Sequence, residues 1–384
     1  MRSKYRVLHF LKGMAVGGIQ TWLINVLRAL DPGEVQFDFL VDQHGDPGYE
    51  GEVTSAGGRF FLAPDFRQVA RWSARLTEVL RREGPFHALH VHSRHSSAIP
   101  ITIARACRVP IRIAHVHNAT DYHNATVLQR AYKRTSKAVL LRNASWILGC
   151  SSLALESLYG GAMVAQHDKL RVLPYGIDMQ RFRPRQTRSA LASELAVPPG
   201  HKILGHVGRF DPLKRHELLI DIFARLVARD DSWTLVLVGD GQTRPAVAQR
   251  AEALGIASRV RFTGFRSDIP DLMAAMDVLA LPSLKEGLGL VLVEAQALGT
   301  ACVVSDCVPR EADVVPGLTR RVPVHGNVDQ WVDAISELAR ASRPPASEAH
   351  AITAASEFAI ERCVHSLLAT YYGLHDCTPS PRPA

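Results

Sequence analysis

Glu286 and Glu294 stand eight residues apart, and Glu294 is the only charged residue between Glu286 and Asp306. A lone carboxylate in so apolar a run is costly unless it meets a protein partner or a ligand hydroxyl. The spacing also puts both carboxylates on roughly one side of a helix, so one can bond the hydroxyls of a sugar while the other holds a ribose. A structural ion pair is the competing reading, weakened because no cation stands near Glu294 in the sequence. Helix onset near Gly287 or Leu288 would aim the N–H groups of Leu288, Gly289 and Leu290 beside Glu286, adding an anion site next to a carboxylate.

A second segment, Gly208-Arg209-Phe210-Asp211-Pro212-Leu213-Lys214, supplies the opposite charge. An arginine fork and a lysine point charge can converge on a diphosphate and replace the magnesium that many phosphate sites require. Alone, the same residues read as a surface arginine and a helix-capping lysine. Gly17-Gly18 follows the first strand and opens a helical pattern from Ile19 to Leu30, where glycine lets a phosphate or sugar approach backbone N–H groups. A tight strand-to-helix turn explains that pair equally well. The segment does not spell G-x-G-x-x-G, which disfavours a nicotinamide cofactor. His90, His92, His95, His115 and His117 crowd two adjacent strand ends. Period-two spacing puts His115 and His117 on one face without defining a tetrahedral metal set. The reading adopted is one cleft-facing imidazole, His117, that hydrogen-bonds substrate hydroxyls.

Short apolar runs alternating with helical patterns must position these residues, and that alternation argues for parallel sheets covered by helices. It runs twice. The first set of strands is expected at Arg6–Phe10, Phe37–Val41, Arg59–Leu62, Ala88–His92, Ile111–His115 and Trp146–Gly149. The second is expected at Ile203–Val207, Thr234–Val238, Val260–Phe262, Val278–Leu281 and Ala301–Ser305. In open sheets of this kind ligands sit beyond the carboxyl ends of strands. Gly208-Arg209, Gly239-Asp240-Gly241, Gly264-Phe265, Ser283 to Glu286 and Ser305-Asp306 all fall there, and a single cleft between two doubly wound domains would gather them. The domains are read as 1–180 and 181–355, with a helix over about 356–373 and a frayed tail from 374 to 384.

The chain has 384 residues, 47% of them hydrophobic, which exceeds what one core usually organises. No run approaches the length of a membrane helix, and Val7 to Leu11 is too short for a signal peptide, so a cytoplasmic protein is expected. Six cysteines stand singly, indicating neither a disulfide framework nor a zinc site. The net charge of +8 favours an anionic partner: a phosphorylated ligand, an anionic lipid surface or nucleic acid. Arg130, Lys133, Arg134 and Lys137 recur at helical spacing among apolar residues, forming a basic amphipathic helix that is either a solvated face or a membrane-docking one.

Taken in order, Gly17-Gly18, His117, Arg209, Lys214 and the Glu286-x7-Glu294 pair resemble the family 4 retaining glycosyltransferases, and the likeness spans about the whole chain. Gly18-Ile19-Gln20-Thr21, Phe37 to Val41 and Ala114 to Asn118 are similar to the branch that builds bacterial exopolysaccharides and capsules. The resemblance implies a GT-B fold of two Rossmann-like domains, a last helix crossing back to the first domain, a nucleotide-sugar donor and no essential metal. It also implies roles. Arg209 and Lys214 would hold the donor diphosphate, Glu294 the ribose, Glu286 the transferred sugar, with Gly18 near the phosphate and His117 beside the sugar. Gly17, Gly208, Gly239, Phe265, Arg266, Gly287, Leu288, Gly289 and Leu290 complete the expected donor-binding set, with Phe265 and Arg266 framing the base. Lys285 stands where relatives often carry an aromatic or small residue, which bears on donor-sugar preference. The implied reaction moves a hexose from a nucleoside diphosphate sugar, UDP by default, to a saccharide or a polyprenyl-diphosphate-linked acceptor at the inner membrane face. The rivals are an epimerase or phosphorylase on the same fold, and a catalytically silent sugar-nucleotide-binding subunit; nucleic acid is not an expected partner.

Overall fold

The computed structural model describes residues 4–15, 17–119 and 126–374. The chain divides into two compact units, Met1–Ile177 together with Ile360–Ala384, and Asp178–Ala359. It passes from one to the other after Ile177 and returns after Ala359.

Among the described residues of the first unit, strands β1 (Tyr5–Leu11), β2 (Val35–Val41), β3 (Phe60–Leu62), β4 (Ala88–Val91), β5 (Ile111–Val116), β6 (Trp146–Gly149) and β7 (Leu170–Val172) form one sheet. Its order is β3-β2-β1-β4-β5-β6-β7, with every pairing parallel. Parallel strands are covered on both faces, so they read as continuous apolar runs, as in the fully buried Ala88–Val91. Leu8, Leu40, Trp72, Leu89, Ile101 and Ile147 are at the centre of the core.

In the second unit β8 (Lys202–Val207), β9 (Trp233–Val238), β10 (Val260–Gly264), β11 (Val278–Leu281), β12 (Ala301–Ser305) and β13 (Thr319–Val322) form a parallel sheet of order β10-β9-β8-β11-β12-β13. Leu204, Phe223, Trp233, Leu237, Val303 and Trp331 fill its core. Strand order reverses between β1 and β4 in one sheet and between β8 and β11 in the other. Crevices at such reversals are where doubly wound sheets bind ligands.

Two edge strands escape the sequence reading. β7 has only three residues, and β13 carries Arg320-Arg321 where an apolar run would be sought. The helix expected over about 356–373 is shorter, Ile360–Tyr371, because residues 356–359 form a turn, with Ala359 N donating to Ser356 O, that separates it from a helix at Ala346–Ala354. It packs on the Gly18–Ala29 helix of the first unit, where Trp22 Nε1 donates to Cys363 Sγ at 3.2 Å. The Tyr5 hydroxyl donates to the Tyr371 carbonyl, fastening the far end. Backbone meets backbone at its start, with Ile360 N donating to Ile177 O at 3.0 Å.

Candidate functional site

In the second unit β8 and β11 are parallel neighbours, so the loops at their carboxyl ends lie side by side. Leu284 N donates to Leu213 O at 2.8 Å and staples Gly208–Lys214 to Ser283–Gly289. Across that staple Lys214 Nζ meets Glu286 Oε1 at 2.6 Å, and Ser283 Oγ donates to the same oxygen at 2.7 Å. The ion-pair reading therefore holds for Glu286, with a cation 72 residues away in sequence. Arg209 is different. Its side chain is 78% exposed and, among the described residues, makes only a 3.4 Å contact with Asp211, leaving the guanidinium available to a ligand.

The helix carrying Glu294 begins later than expected. It runs Leu290–Ala297, capped by Gly289 at φ 80°, ψ 45°. A left-handed residue cannot continue a right-handed helix, so the open N–H groups start at Leu290 and not at Leu288. Leu288 points into the core at 2% exposure. Glu294 has no hydrogen bond or ion pair among the described residues, and burial among apolar neighbours pushes its carboxyl up to about 7. One edge of it stays partly accessible.

Gly239 earns its place through packing: at φ 124°, a Cβ there would lie 2.2 Å from Gly208 O. Phe265 follows β10 with its ring 71% exposed. Arg266 does not join it as a free group. Its guanidinium is held by Asp268 at 2.6 Å and Glu194 at 2.8 Å, which corrects the expectation that both residues frame a base. Sequence reasoning missed His206 and His216 under the Gly208–Lys214 loop. His206 Nδ1 donates to Ala280 O at 2.8 Å, and His216 stacks on the buried Phe210 ring at 3.9 Å. Burial lowers them to about 4 and about 2, respectively, so both are neutral. His206, near the end of β8 and two residues ahead of Gly208, was the available signal.

In the first unit, His9 of β1, His90 and His92 at β4, and His115 and His117 at β5 form one layer, covered by Trp22. The rings link into two chains. His9 Nδ1 bonds His92 Nε2 at 2.9 Å, His92 Nδ1 bonds His117 Nε2 at 2.9 Å, and His117 Nδ1 bonds the Tyr175 hydroxyl at 2.6 Å. The Tyr371 hydroxyl bonds His90 Nδ1 at 2.9 Å, and His90 Nε2 bonds His115 Nδ1 at 3.1 Å. Both nitrogens of His117 are thus engaged inside the unit, which corrects the expectation of a free imidazole facing substrate. Burial, reinforced for all but His92 by neighbouring imidazoles, holds the five rings well below the ordinary histidine range. His9, His90 and His92, or His92, His115 and His117, come close enough to share a metal. Neither set contains a carboxylate to offset a dication in so apolar a setting.

Gly17 caps the Gly18–Ala29 helix in extended conformation at φ −177°. A Cβ at Gly18 would meet nothing within 4 Å, so no internal packing requires glycine there. Arg130, Lys133, Arg134 and Lys137 lie on a helix spanning Val127–Asn143.

Two parallel doubly wound units, one carrying a cation–carboxylate site at its strand reversal, make up the GT-B class of glycosyltransferase. The family model described as Glycosyltransferase Family 4 matches residues 16–181, and that described as Glycosyl transferases group 1 matches residues 201–341. EpsF of Bacillus subtilis (strain 168), named as a glycosyltransferase, is 33% identical over 345 residues, covering 89% of this chain and 90% of that protein. The chain belongs to the family 4 glycosyltransferases. The D-inositol 3-phosphate glycosyltransferase of Nocardia farcinica (strain IFM 10152) is 34% identical over 283 residues, 68% of this chain and 61% of that protein. Among solved structures, Anabaena Alr3699/HepE in complex with UDP and glucose matches with a TM-score of 0.78 at 20% identity, covering 96% of this chain and all of that one.

Proposed function

We propose that this glycosyltransferase moves a hexose from a nucleoside diphosphate sugar, a UDP-sugar by preference, to a saccharide or polyprenyl-diphosphate-linked saccharide. The transfer retains anomeric configuration, requires no metal and serves exopolysaccharide or other cell-surface glycan assembly on the cytoplasmic side of the membrane. The observation that carries this reading is the Lys214–Glu286 contact at the reversal between β8 and β11. It puts a cation suited to phosphate against a carboxylate suited to sugar hydroxyls. EpsF, covered over most of its length and named as a glycosyltransferase, supports sugar transfer, and the UDP and glucose bound by HepE support the donor class.

Cleaving the anomeric bond builds negative charge on the departing diphosphate. Lys214, the exposed Arg209 and the first open N–H groups of the Leu290–Ala297 helix stabilise that charge. Glu286 accepts hydroxyls of the transferred sugar, and Glu294 accepts those of the ribose. Phe265 offers an aromatic face to the base. The leaving phosphate itself takes the proton of the acceptor hydroxyl on the front side, so no protein nucleophile is needed.

Turnover of UDP-sugars by Arg209→Ala, Lys214→Ala and Glu286→Gln, with folding checked by circular dichroism, tests the assignment. A loss of about 10²–10³ in kcat is expected for each cation, and parental rates in all three variants would reject it. Products separate the rivals: an epimerised donor, phosphate-dependent release of a sugar phosphate, or tight binding without turnover would each replace the transferase reading.

A further inference from the structure

His206 lies near the end of β8 and is wholly buried. The Ala280 carbonyl on β11 can only accept, so its 2.8 Å contact with Nδ1 places the ring hydrogen on that nitrogen. Burial brings the ring down to about 4, against the pull of the Ala280 bond, so a second hydrogen is absent at neutral pH. Nε2 is therefore a bare lone pair, and among the described residues it has no partner. A buried acceptor left unmade is costly. The ring is also held in place, because His216 meets it edge-on with centroids 4.5 Å apart and itself stacks on Phe210.

The lone pair faces the side of Gly208 on which a Cβ would stand. A Cβ there would lie 3.2 Å from Nε2 and 3.8 Å from Lys214 Cε, so the imidazole and the end of the lysine stem border one small space that glycine keeps open. The ammonium is one bond further along the stem. It carries three N–H groups, and Glu286 takes one of them at 2.6 Å. A bound donor changes those terms, since the same carboxylate is then claimed by sugar hydroxyls while a flexible four-carbon stem must keep its charge on the phosphates. His206 has no exposed surface to offer a substrate. Its route to the reaction runs through Lys214.

We propose that His206 is a positioning residue: its Nε2 accepts a hydrogen bond from the Lys214 ammonium and holds that cation on the donor diphosphate when Glu286 turns to the transferred sugar. This rests on Lys214 gripping phosphate, as in the function proposed above, so the test separates the two. UDP affinity is measured by calorimetry in the parent, Lys214→Ala, His206→Leu, His206→Gln, Gly208→Ala and the double variant His206→Leu/Lys214→Ala, with circular dichroism confirming each fold. A hydrogen bond to a charged group is worth about tenfold in affinity, and that is the loss expected of His206→Leu. His206→Gln, whose amide oxygen can stand in the place of Nε2, should restore most of it. Without Lys214 the ring has nothing to hold, so adding His206→Leu to Lys214→Ala should cost nothing further. Gly208→Ala keeps both side chains but puts a methyl group between them, and should imitate His206→Leu even where that variant fails to fold. UDP bound as tightly by His206→Leu or Gly208→Ala as by the parent, a His206→Gln variant as weak as His206→Leu, or losses that simply add in the double variant would overturn the positioning role and leave Lys214 on the phosphates. Lys214→Ala binding UDP like the parent would strike at the donor reading, and the positioning role with it.

Discussion

Glu294 is the residue whose chemistry pH reports most directly. Burial lifts its carboxyl from 4.5 to about 7. The folded chain therefore holds that proton more tightly than the unfolded chain does, so stability falls as pH rises from about 4.5 to about 7 and is flat beyond. Glu294→Gln, uncharged throughout, is expected to melt above the parent at pH 8 and level with it near pH 4. The same melting difference at both pH values would show that burial of the charge is not what the substitution relieves. Ribose hydroxyls donate to the ionised form, so nucleotide binding below pH 7 should release a proton, measurable by calorimetry in buffers of differing ionisation enthalpy. Gly18 gives a second test: with nothing within 4 Å of its missing Cβ, Gly18→Val should fold normally. If donor or acceptor passes close to it, kcat/KM falls by an order of magnitude at unchanged melting temperature; unchanged kinetics would remove Gly18 from the site. Glu294 was legible because it breaks an apolar run, and Glu286 because it stands eight residues before it. That Glu286 pairs with Lys214 was not, since the contact spans 72 positions and depends on two loops being stapled together.

At the scale of elements, the sequence reveals strands where apolar runs are long and hides them where the sheet ends. β9, β11 and β12 are interior to their sheet and stand out as mainly apolar segments, whereas β13, at the edge, reads Thr-Arg-Arg-Val. Helix starts are harder because one backbone angle decides them. The left-handed turn at Gly289 moved the onset to Leu290, and no periodicity signals that. The histidine layer was read as one functional imidazole among filler, but its order comes from side-chain hydrogen bonds between strands, which period-two spacing permits without requiring. The docking of the Ile360–Tyr371 helix depends on an equally local fact. A Cβ on Gly176 would lie 2.7 Å from Cys363 Cβ and 2.8 Å from Ile360 Cα. Gly176→Ala is therefore expected to cost about 1–3 kcal/mol by overpacking. Denaturant unfolding with an unchanged midpoint would mean that the helix yields at no cost.

At the scale of the whole molecule, the first unit is closed by both ends of the chain. Its alternating pattern was readable from residue 6 onward, but the segment that completes it comes after the entire second unit. Ending the chain before Ile360 takes from Trp22 its Cys363 acceptor, from His90 its Tyr371 hydroxyl and from Tyr5 its carbonyl partner. The face of the Gly18–Ala29 helix that bears Trp22 would then meet water. The second unit loses nothing from its own core clusters, whose buried side chains run from Leu204 to Ala349. Truncation after Ala359 should therefore uncouple the two. Hydrogen exchange is expected to accelerate throughout β1, β4 and β5, while β8, β9 and β11 keep their protection and UDP still raises the melting temperature of the part that remains folded. Loss of the UDP shift together with first-unit protection would mean that the donor site depends on the first unit, and full protection everywhere would mean that the last helix is dispensable.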